Sequence, residues 1–350
     1  MLKHLRLSQF RSYASLDLTL DDRVLLILGP NATGKTNILE AMYVAATGRS
    51  FRADDTELML HGADGFRVDA IHDDEEIAVT YHEAPRKTKR FTRDAVALTR
   101  GKLLGRHPIV LFEPNDLLLL SGPPERRRRY LDGVLLQTDE VYQREFLAWR
   151  RLLKQRNALL WRNKRSGVPN LDDQLFILET QMAAVAEQIS LLRQKLLEDI
   201  SVIVDTMVPR IAQREHAVRI DFIEKSSNFL ERARMTRDRD IAIGSTTIGP
   251  HREDWVVWYD DHPLKSTASR GEVRTTLLAL KLAELTYVKT QLAGTTPLLL
   301  LDDVFSELDE ARRRQLIAEL GDTQTVITST DIDRRLKLPA QTLNLTRPEV

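Results

Sequence analysis

One octapeptide constrains this chain more than any other feature. Residues 29–36 read GPNATGKT, which fits G-x-x-x-x-G-K-[ST], and they lie between the apolar run Val24–Leu28 and a helical pattern that begins at Lys35. The spacing predicts a buried strand, a glycine turn and a helix over Lys35–Thr47. Glycines at Gly29 and Gly34 let the loop Gly29, Pro30, Asn31, Ala32, Thr33 and Gly34 curl its backbone N–H groups around β- and γ-phosphates, and the helix dipole adds positive potential. Lys35 supplies a point charge, the Thr36 hydroxyl can reach Mg²⁺, and Asn37 completes the first helical turn beneath the phosphates.

Such a loop needs a second metal carboxylate on a neighbouring strand. The run 298–301 is four leucines, and Asp302 and Asp303 follow where the strand emerges. In parallel sheets ligands bind at that carboxyl edge. Asp302 is therefore the expected Mg²⁺ partner, through water, and Asp303 points at the γ-phosphate, where it polarises the attacking water. Taken alone, two aspartates at a strand end could equally cap a turn. With the glycine loop they specify a nucleoside triphosphate, ATP, and a catalytic set of Lys35, Asp302 and Asp303.

The order of elements indicates an α/β protein. Alternating Leu2, Leu5 and Leu7, and then Leu16, Leu18 and Leu20, predict two strands; polar alternating stretches over 66–99 predict two or three more, together a β-rich lobe. Residues 116–205 read as helices, broken at 122–124 and 166–169. The last carries Leu175, Leu178, Met182, Val185, Ile189, Leu192 and Leu196 in steps of three and four, a seam for a short hairpin against the helix bearing Phe146, Leu152 and Leu159. A strand after His251, a helix over 270–292, a strand over 297–301, a helix over 307–320 and a strand over 325–327 restore the parallel-sheet pattern. These readings divide the 350 residues into an ATPase lobe, 1–112 and 245–350, and a mainly helical lobe, 113–244.

Zero cysteines exclude disulfides, thiolate catalysis and Cys-ligated zinc. The longest apolar runs fall far short of the ~20 residues a membrane span needs, and the start MLKHLRLSQFRS is too charged for a signal peptide. A cytoplasmic location and no membrane partner are expected.

Charge is balanced overall, 51 basic against 51 acidic residues, yet residues 122–170 hold twelve Lys or Arg against five acids. That excess suits contact with a phosphate backbone, with Arg126, Arg127, Arg128, Arg129, Arg150, Arg151, Lys154 and Arg156 as candidates; a solvated helical face explains it equally well. Trp149 and Trp161 stand at helical spacing, which places them in the core rather than on a base-stacking platform. His251 and Arg252 belong in a loop near the nucleotide or the lobe boundary.

Two further segments fix the class. Ala268-Ser269-Arg270-Gly271-Glu272 opens the long helix and resembles the signature motif of ABC-type ATPases, whose N–H groups grip a γ-phosphate held by the opposite subunit; Ser269 and Glu272 also fit a capping box. Ser306-Glu307-Leu308-Asp309 resembles the D-loop of those ATPases, or marks a helix cap at Ser306. With LRLSQFRSY, GPNATGKTNILEAMYVAATGRSFR, IVLFEPNDLLLLSGPPERRRRYLD, KQRNALL, GPHRED, SRGEVRT and LLLLDDVFSELDEARR, nearly the whole chain resembles the RecF family of recombination-mediator ATPases, related to the heads of structural-maintenance-of-chromosomes proteins. Asn115 and Leu171 depart from that family's pattern, away from the nucleotide loop.

The resemblance implies an ABC/SMC-like P-loop head with a mixed β lobe, a parallel-sheet core and a helical second lobe. It implies a slow ATPase that closes on ATP as a homodimer, binds single- or double-stranded DNA at gaps, acts with the RecO and RecR mediators and helps load the RecA recombinase in recombinational repair and replication. Each composite pocket would join Lys35, Thr36, Asp302 and Asp303 of one copy to Ser269, Arg270, Gly271 and Glu272 of the other. The alternatives are the ATPase subunit of an ABC transporter, which needs a membrane partner, and that of a nuclease or helicase complex.

Overall fold

The computed structural model describes residues 1–292, 294–330 and 340–346. Its strands and helices, in chain order, begin with β1 Leu2–Phe10, β2 Tyr13–Thr19, β3 Val24–Leu28, α1 Lys35–Thr47, β4 Gly65–His72, β5 Glu76–His82, β6 Thr88–Arg93, β7 Val96–Leu98, α2 Arg100–Leu103 and β8 Ile109–Phe112. There follow α3 Leu117–Ser121, α4 Pro124–Thr138, α5 Glu140–Ser166, α6 Leu171–Ala212, β9 Val218–Ile223, α7 Phe229–Met235, α8 Arg237–Ile243, β10 Asp254–Tyr259, β11 His262–Pro263, α9 Leu264–Thr267 and α10 Arg270–Gln291. The chain closes with β12 Leu298–Asp302, α11 Val304–Glu307, α12 Glu310–Leu320, β13 Thr325–Ser329 and β14 Gln341–Asn344.

These elements form two units, Met1–Asp116 with Leu280–Val350, and Leu117–Ala279. The first holds two sheets. One is antiparallel, ordered β2-β1-β4-β5-β6-β7; the other is parallel, ordered β14-β3-β13-β12-β8. Helix α1 packs against strands of both. It buries Ile38, Leu39, Met42 and Val44 completely or nearly so, against Leu5, Phe10, Val68, Leu25 and Leu300 in one core. A helix apolar on nearly every side is stable only when so enclosed; each such leucine or isoleucine contributes roughly 1.5–3 kcal/mol by leaving water.

The second unit is built on the hairpin of α5 and α6 and on the antiparallel sheet β11-β10-β9. Helix α6 runs for 42 residues, roughly 60 Å, and packs against the 27-residue α5 and against β9. Its buried stripe is Leu175, Glu179, Met182, Ala186, Ile189, Arg193, Leu196 and Ile200, while Leu178, Val185 and Leu192 of the expected seam are only half-buried. Apolar spacing could not reveal that stripe because two of its members are charged.

Those charges are satisfied internally. Arg156, fully buried, donates to Glu179 at 2.8 Å and to Asp240 at 2.7 Å. Arg193 donates to Glu253 at 2.8 Å, to Asp132 at 2.6 Å and to the Pro250 carbonyl at 2.6 Å. By length and composition α6 alone among the described helices could cross a membrane, an exception to the expectation from apolar runs; here its charged stripe is enclosed within a protein core.

The same network corrects one boundary. Residues 245–279, expected in the ATPase lobe, lie with the helical unit, because β10 pairs with β9 and the 249–254 segment GPHRED is anchored there. Gly249 takes a φ of 109° and a Cβ at that position would lie 2.6 Å from the Trp149 ring, so only glycine fits. The single helix expected over 307–320 is instead α11 and α12, and Asp309, not Ser306, caps the second by accepting from the Arg312 N–H. Residues 293, 331–339 and 347–350 of the expected ATPase lobe lie outside the described residues.

Candidate nucleotide site

Strand β13 sits between β3 and β12, with Thr328 opposite Ile27 on one side and opposite Asp302 on the other. The glycine loop after β3 and the carboxylates after β12 therefore meet at one carboxyl edge of the parallel sheet, where open α/β sheets bind ligands. Ala32 (φ 68°) and Gly34 (φ 95°) both take left-handed backbone. For Ala32 that is a strained, uncommon state. At Gly34 any Cβ would collide with the Tyr13 hydroxyl 2.7 Å away.

Lys35 is buried and its ammonium is held by the carbonyls of Gly29 at 2.7 Å and Pro30 at 2.9 Å. Thr33 donates to the Pro30 carbonyl at 3.0 Å, tightening the same turn. Burial lowers the Lys35 pKa, and Asp303 and then Asp302 oppose the shift. The Thr36 hydroxyl lies 2.9 and 3.0 Å from the two Asp302 carboxylate oxygens. Thr328 donates to Asp302 at 2.7 Å and accepts from the Asp303 N–H at 2.9 Å, so the middle strand fixes the Asp302 carboxylate and the Asp303 backbone.

Asp303 has a φ of 50° at the entry to α11. Its Oδ1 is buried with no hydrogen-bond partner among the described residues. Burial raises its pKa, Lys35 pulls it down and Asp302 raises it further. A hydroxyl, an adjacent carboxylate and an unpartnered carboxylate oxygen are hard oxygen donors, a set that fits Mg²⁺ bound with phosphate.

Several residues behind this site escaped the motif reading. Glu40 on α1 is completely buried and accepts from Nε and Nη2 of Arg11 at 2.8 Å each, from Arg52 at 2.8 Å and from the Ser50 hydroxyl at 2.5 Å. Asn37 donates to Ser12 at 2.8 Å and accepts from Arg52 at 2.7 Å. The β1–β2 turn, Arg11 to Tyr13, is thereby clamped onto the first turns of α1. Burial alone would raise the Glu40 pKa; hydrogen bonds from Arg11, Arg52 and Ser50 outweigh it and hold the group below the ordinary range. The one sequence signal was a lone acid inside an otherwise apolar helix.

Ser269 and Glu272 form a reciprocal capping box at the start of α10: the Ser269 N–H donates to the Glu272 carboxylate at 2.6 Å and the Glu272 N–H to the Ser269 hydroxyl at 3.3 Å. Arg270 and Gly271 open that helix between them.

The basic block divides. Arg127 is buried and donates to Asp254 at 2.6 and 3.0 Å, and Arg156 is buried as described, so both are withdrawn as DNA contacts: core ion pairs have no surface to offer. Arg128 is half-buried on the Glu253 carbonyl at 2.9 Å, Arg126 is half-buried and Arg129 pairs with Glu125. Arg150, Arg151 and Lys154 are exposed. Trp149 is in the core as expected, but Trp161 is 52% exposed. His251 accompanies Trp149 in the helical unit, with Nε2 at 3.0 Å from the Thr246 carbonyl and burial driving its pKa down to about 4. Arg252 donates to the same carbonyl at 3.3 Å.

The family model RecF/RecN/SMC N terminal domain matches residues 1–115. The DNA replication and repair protein RecF of Agathobacter rectalis is 32% identical over 96% of this chain and 94% of that protein, and that of Moorella thermoacetica 36% over 95% and 90%. A solved structure of the recombination mediator RecF with ATP, of the RecFOR pathway, superposes with a TM-score of 0.88 at 29% identity over 95% of this chain and 92% of that one. The Smc head domain of Pyrococcus furiosus, at 16% identity and a TM-score of 0.53, shares the fold. On that identity, that coverage and the P-loop head described above, the chain belongs to the RecF family of DNA replication and repair ATPases.

Proposed function

We propose that this chain is a weak, Mg²⁺-dependent ATPase whose two copies close head to head on ATP and hold DNA while closed. The observation that carries the reading is the junction of Thr36, Asp302 and the unpartnered Asp303 oxygen at the mouth of the glycine loop. The Gly29–Gly34 backbone and Lys35 would bind the β- and γ-phosphates, Lys35 exchanging its carbonyl partners for phosphate oxygens. Thr36 and Asp302 would hold Mg²⁺, which supplies charge neutralisation at the phosphates when bound. Asp303 would orient and polarise the attacking water.

The glycine loop, Lys35, Thr36, Asp302 and Asp303 gather at one carboxyl edge of one copy's sheet, so the far side of a bound γ-phosphate would be left for another surface to meet. The capped N-terminus of α10, at Ser269 to Glu272, is an anion site of the right kind to complete the pocket of a second copy. A symmetric pair using both surfaces reciprocally closes as a C₂ dimer with two ATPs. An isolated monomer then binds ATP but hydrolyses it poorly, since the positioning groups come from two chains.

Relatives that serve DNA replication and repair, and the likeness to a recombination mediator of the RecFOR pathway, support a role in recombinational repair; the reading extends to gapped DNA, with RecO and RecR as partners in loading the recombinase RecA in the cytoplasm. The test is ATP turnover per chain measured across protein concentration. Turnover that rises and then saturates fits the composite pocket; turnover independent of concentration rejects it.

A further inference from the structure

Helix α5 is amphipathic in an unusual way. Its buried side carries Trp149, Leu152, Arg156, Leu159 and Leu160, and the opposite side carries the exposed cations Arg150, Arg151, Lys154, Arg162, Lys164 and Arg165. From Leu147 to Ser166 the sequence contains no acidic residue. At 100° per residue these cations fall within one arc, and Trp161 lies inside that arc. The stripe from Arg150 to Arg165 is about 22 Å long.

Trp161 is the most exposed of the chain's four tryptophans, and the Arg165 guanidinium lies over its ring at 3.9 Å from the centroid. An indole left in water within a cationic stripe does nothing for the core. The cation over one face holds the ring upright and leaves the rest accessible. Aromatic rings in positively charged tracks are the recognised means of holding unpaired nucleotides, because each base offers a π-face and the cations follow the phosphates. Duplex DNA keeps its bases stacked on one another, so it can use the cations and not the ring.

We infer that the outer face of α5 binds single-stranded DNA, with Trp161 stacking on an unpaired base and Arg151, Lys154 and Arg162 meeting the flanking phosphates. This deepens, and rests on, the reading of the chain as a DNA-binding protein; it adds a site that prefers the unpaired strand. A protein partner on the same face is the competing occupant, disfavoured by a stripe with six cations and no acid.

The test uses the full chain with a short oligodeoxyadenylate and with a blunt duplex of equal length, read by tryptophan fluorescence and by anisotropy. The single strand should quench the fluorescence of the parent chain, and the quench should vanish in Trp161→Phe. Trp161→Ala should bind the single strand about tenfold more weakly and leave duplex affinity roughly unchanged. Arg151→Ala with Lys154→Ala should lower the salt slope on the single strand by about 1.4, at ~0.7 per phosphate. Single-strand binding that is unaltered by Trp161→Ala, or a quench that survives Trp161→Phe, overturns the site while DNA binding itself stands. Failure of the parent chain to bind either DNA overturns the site and the DNA-binding reading together.

Discussion

The Thr36 hydroxyl and the Asp302 carboxylate, 266 positions apart in sequence, stand 2.9 Å from one another. One belongs to the first turn of α1 and the other ends β12, and the intervening strand β13 contributes Thr328 to lock the carboxylate in place. Thr36→Ala or Asp302→Asn alters one of the groups that would hold the metal. Either change should cut Mg²⁺-dependent hydrolysis by about 100-fold or more, measured as phosphate release across a Mg²⁺ titration, with the fold intact by circular dichroism.

Asp303 has a different part. Asp303→Asn should still bind ATP and hydrolyse it about 100-fold to 10⁴-fold more slowly; a wild-type rate would remove its role in polarising water. Its pKa is raised by burial, and the group acts as a base only when ionised. Hydrolysis should therefore fall, as pH decreases, at a higher pH than an ordinary aspartate would impose, and Asp303→Asn should abolish that limb of the profile.

Glu40 is far from any phosphate contact by sequence logic, yet it ties α1 to Arg11 and Arg52. Glu40→Ala leaves two cations facing a buried hole and should destabilise the nucleotide unit by about 3 kcal/mol, read from denaturant midpoints. Because the folded pKa is depressed below the unfolded value, the stabilisation is complete above the ordinary glutamate range and is lost as pH falls through the folded pKa. Glu40→Ala should therefore flatten the acid limb of the stability curve.

Much of this is legible in the sequence. The helix from Lys35 to Thr47 and the strand from Val24 to Leu28 have the bounds their spacing indicated, since a glycine loop, an apolar run and a helical period agree with one another there. Asp302 was legible because four leucines can only be a buried strand next to such a loop. What stayed hidden was polar and long-range. Thr328 has no motif of its own; it matters because β13 falls between two strands that precede it in sequence. Along α6 the expected Leu175, Met182, Ile189 and Leu196 are buried, while Glu179, Ala186 and Arg193 take the buried places next to Leu178, Val185 and Leu192; two of the three are charged and break the apolar period. Arg127 and Arg156 looked like surface charge because their acidic partners, Asp254, Glu179 and Asp240, are remote in sequence.

Ser269 is tied to Glu272 and exposed to solvent. Ser269→Arg keeps a helix start but places a long cation where a second copy's phosphate would sit. ATP binding by the monomer should be unchanged by equilibrium titration, while ATP-dependent self-association should weaken at least tenfold. An unaffected dimer would mean that the capping box is only a cap.

The most direct test is sedimentation velocity of the full chain saturated with Mg²⁺ and a non-hydrolysable ATP analogue, beside Lys35→Met under the same conditions. The parent chain should move from monomer to dimer and the variant should stay monomeric. A parent chain that remains monomeric with its nucleotide bound would contradict the composite pocket.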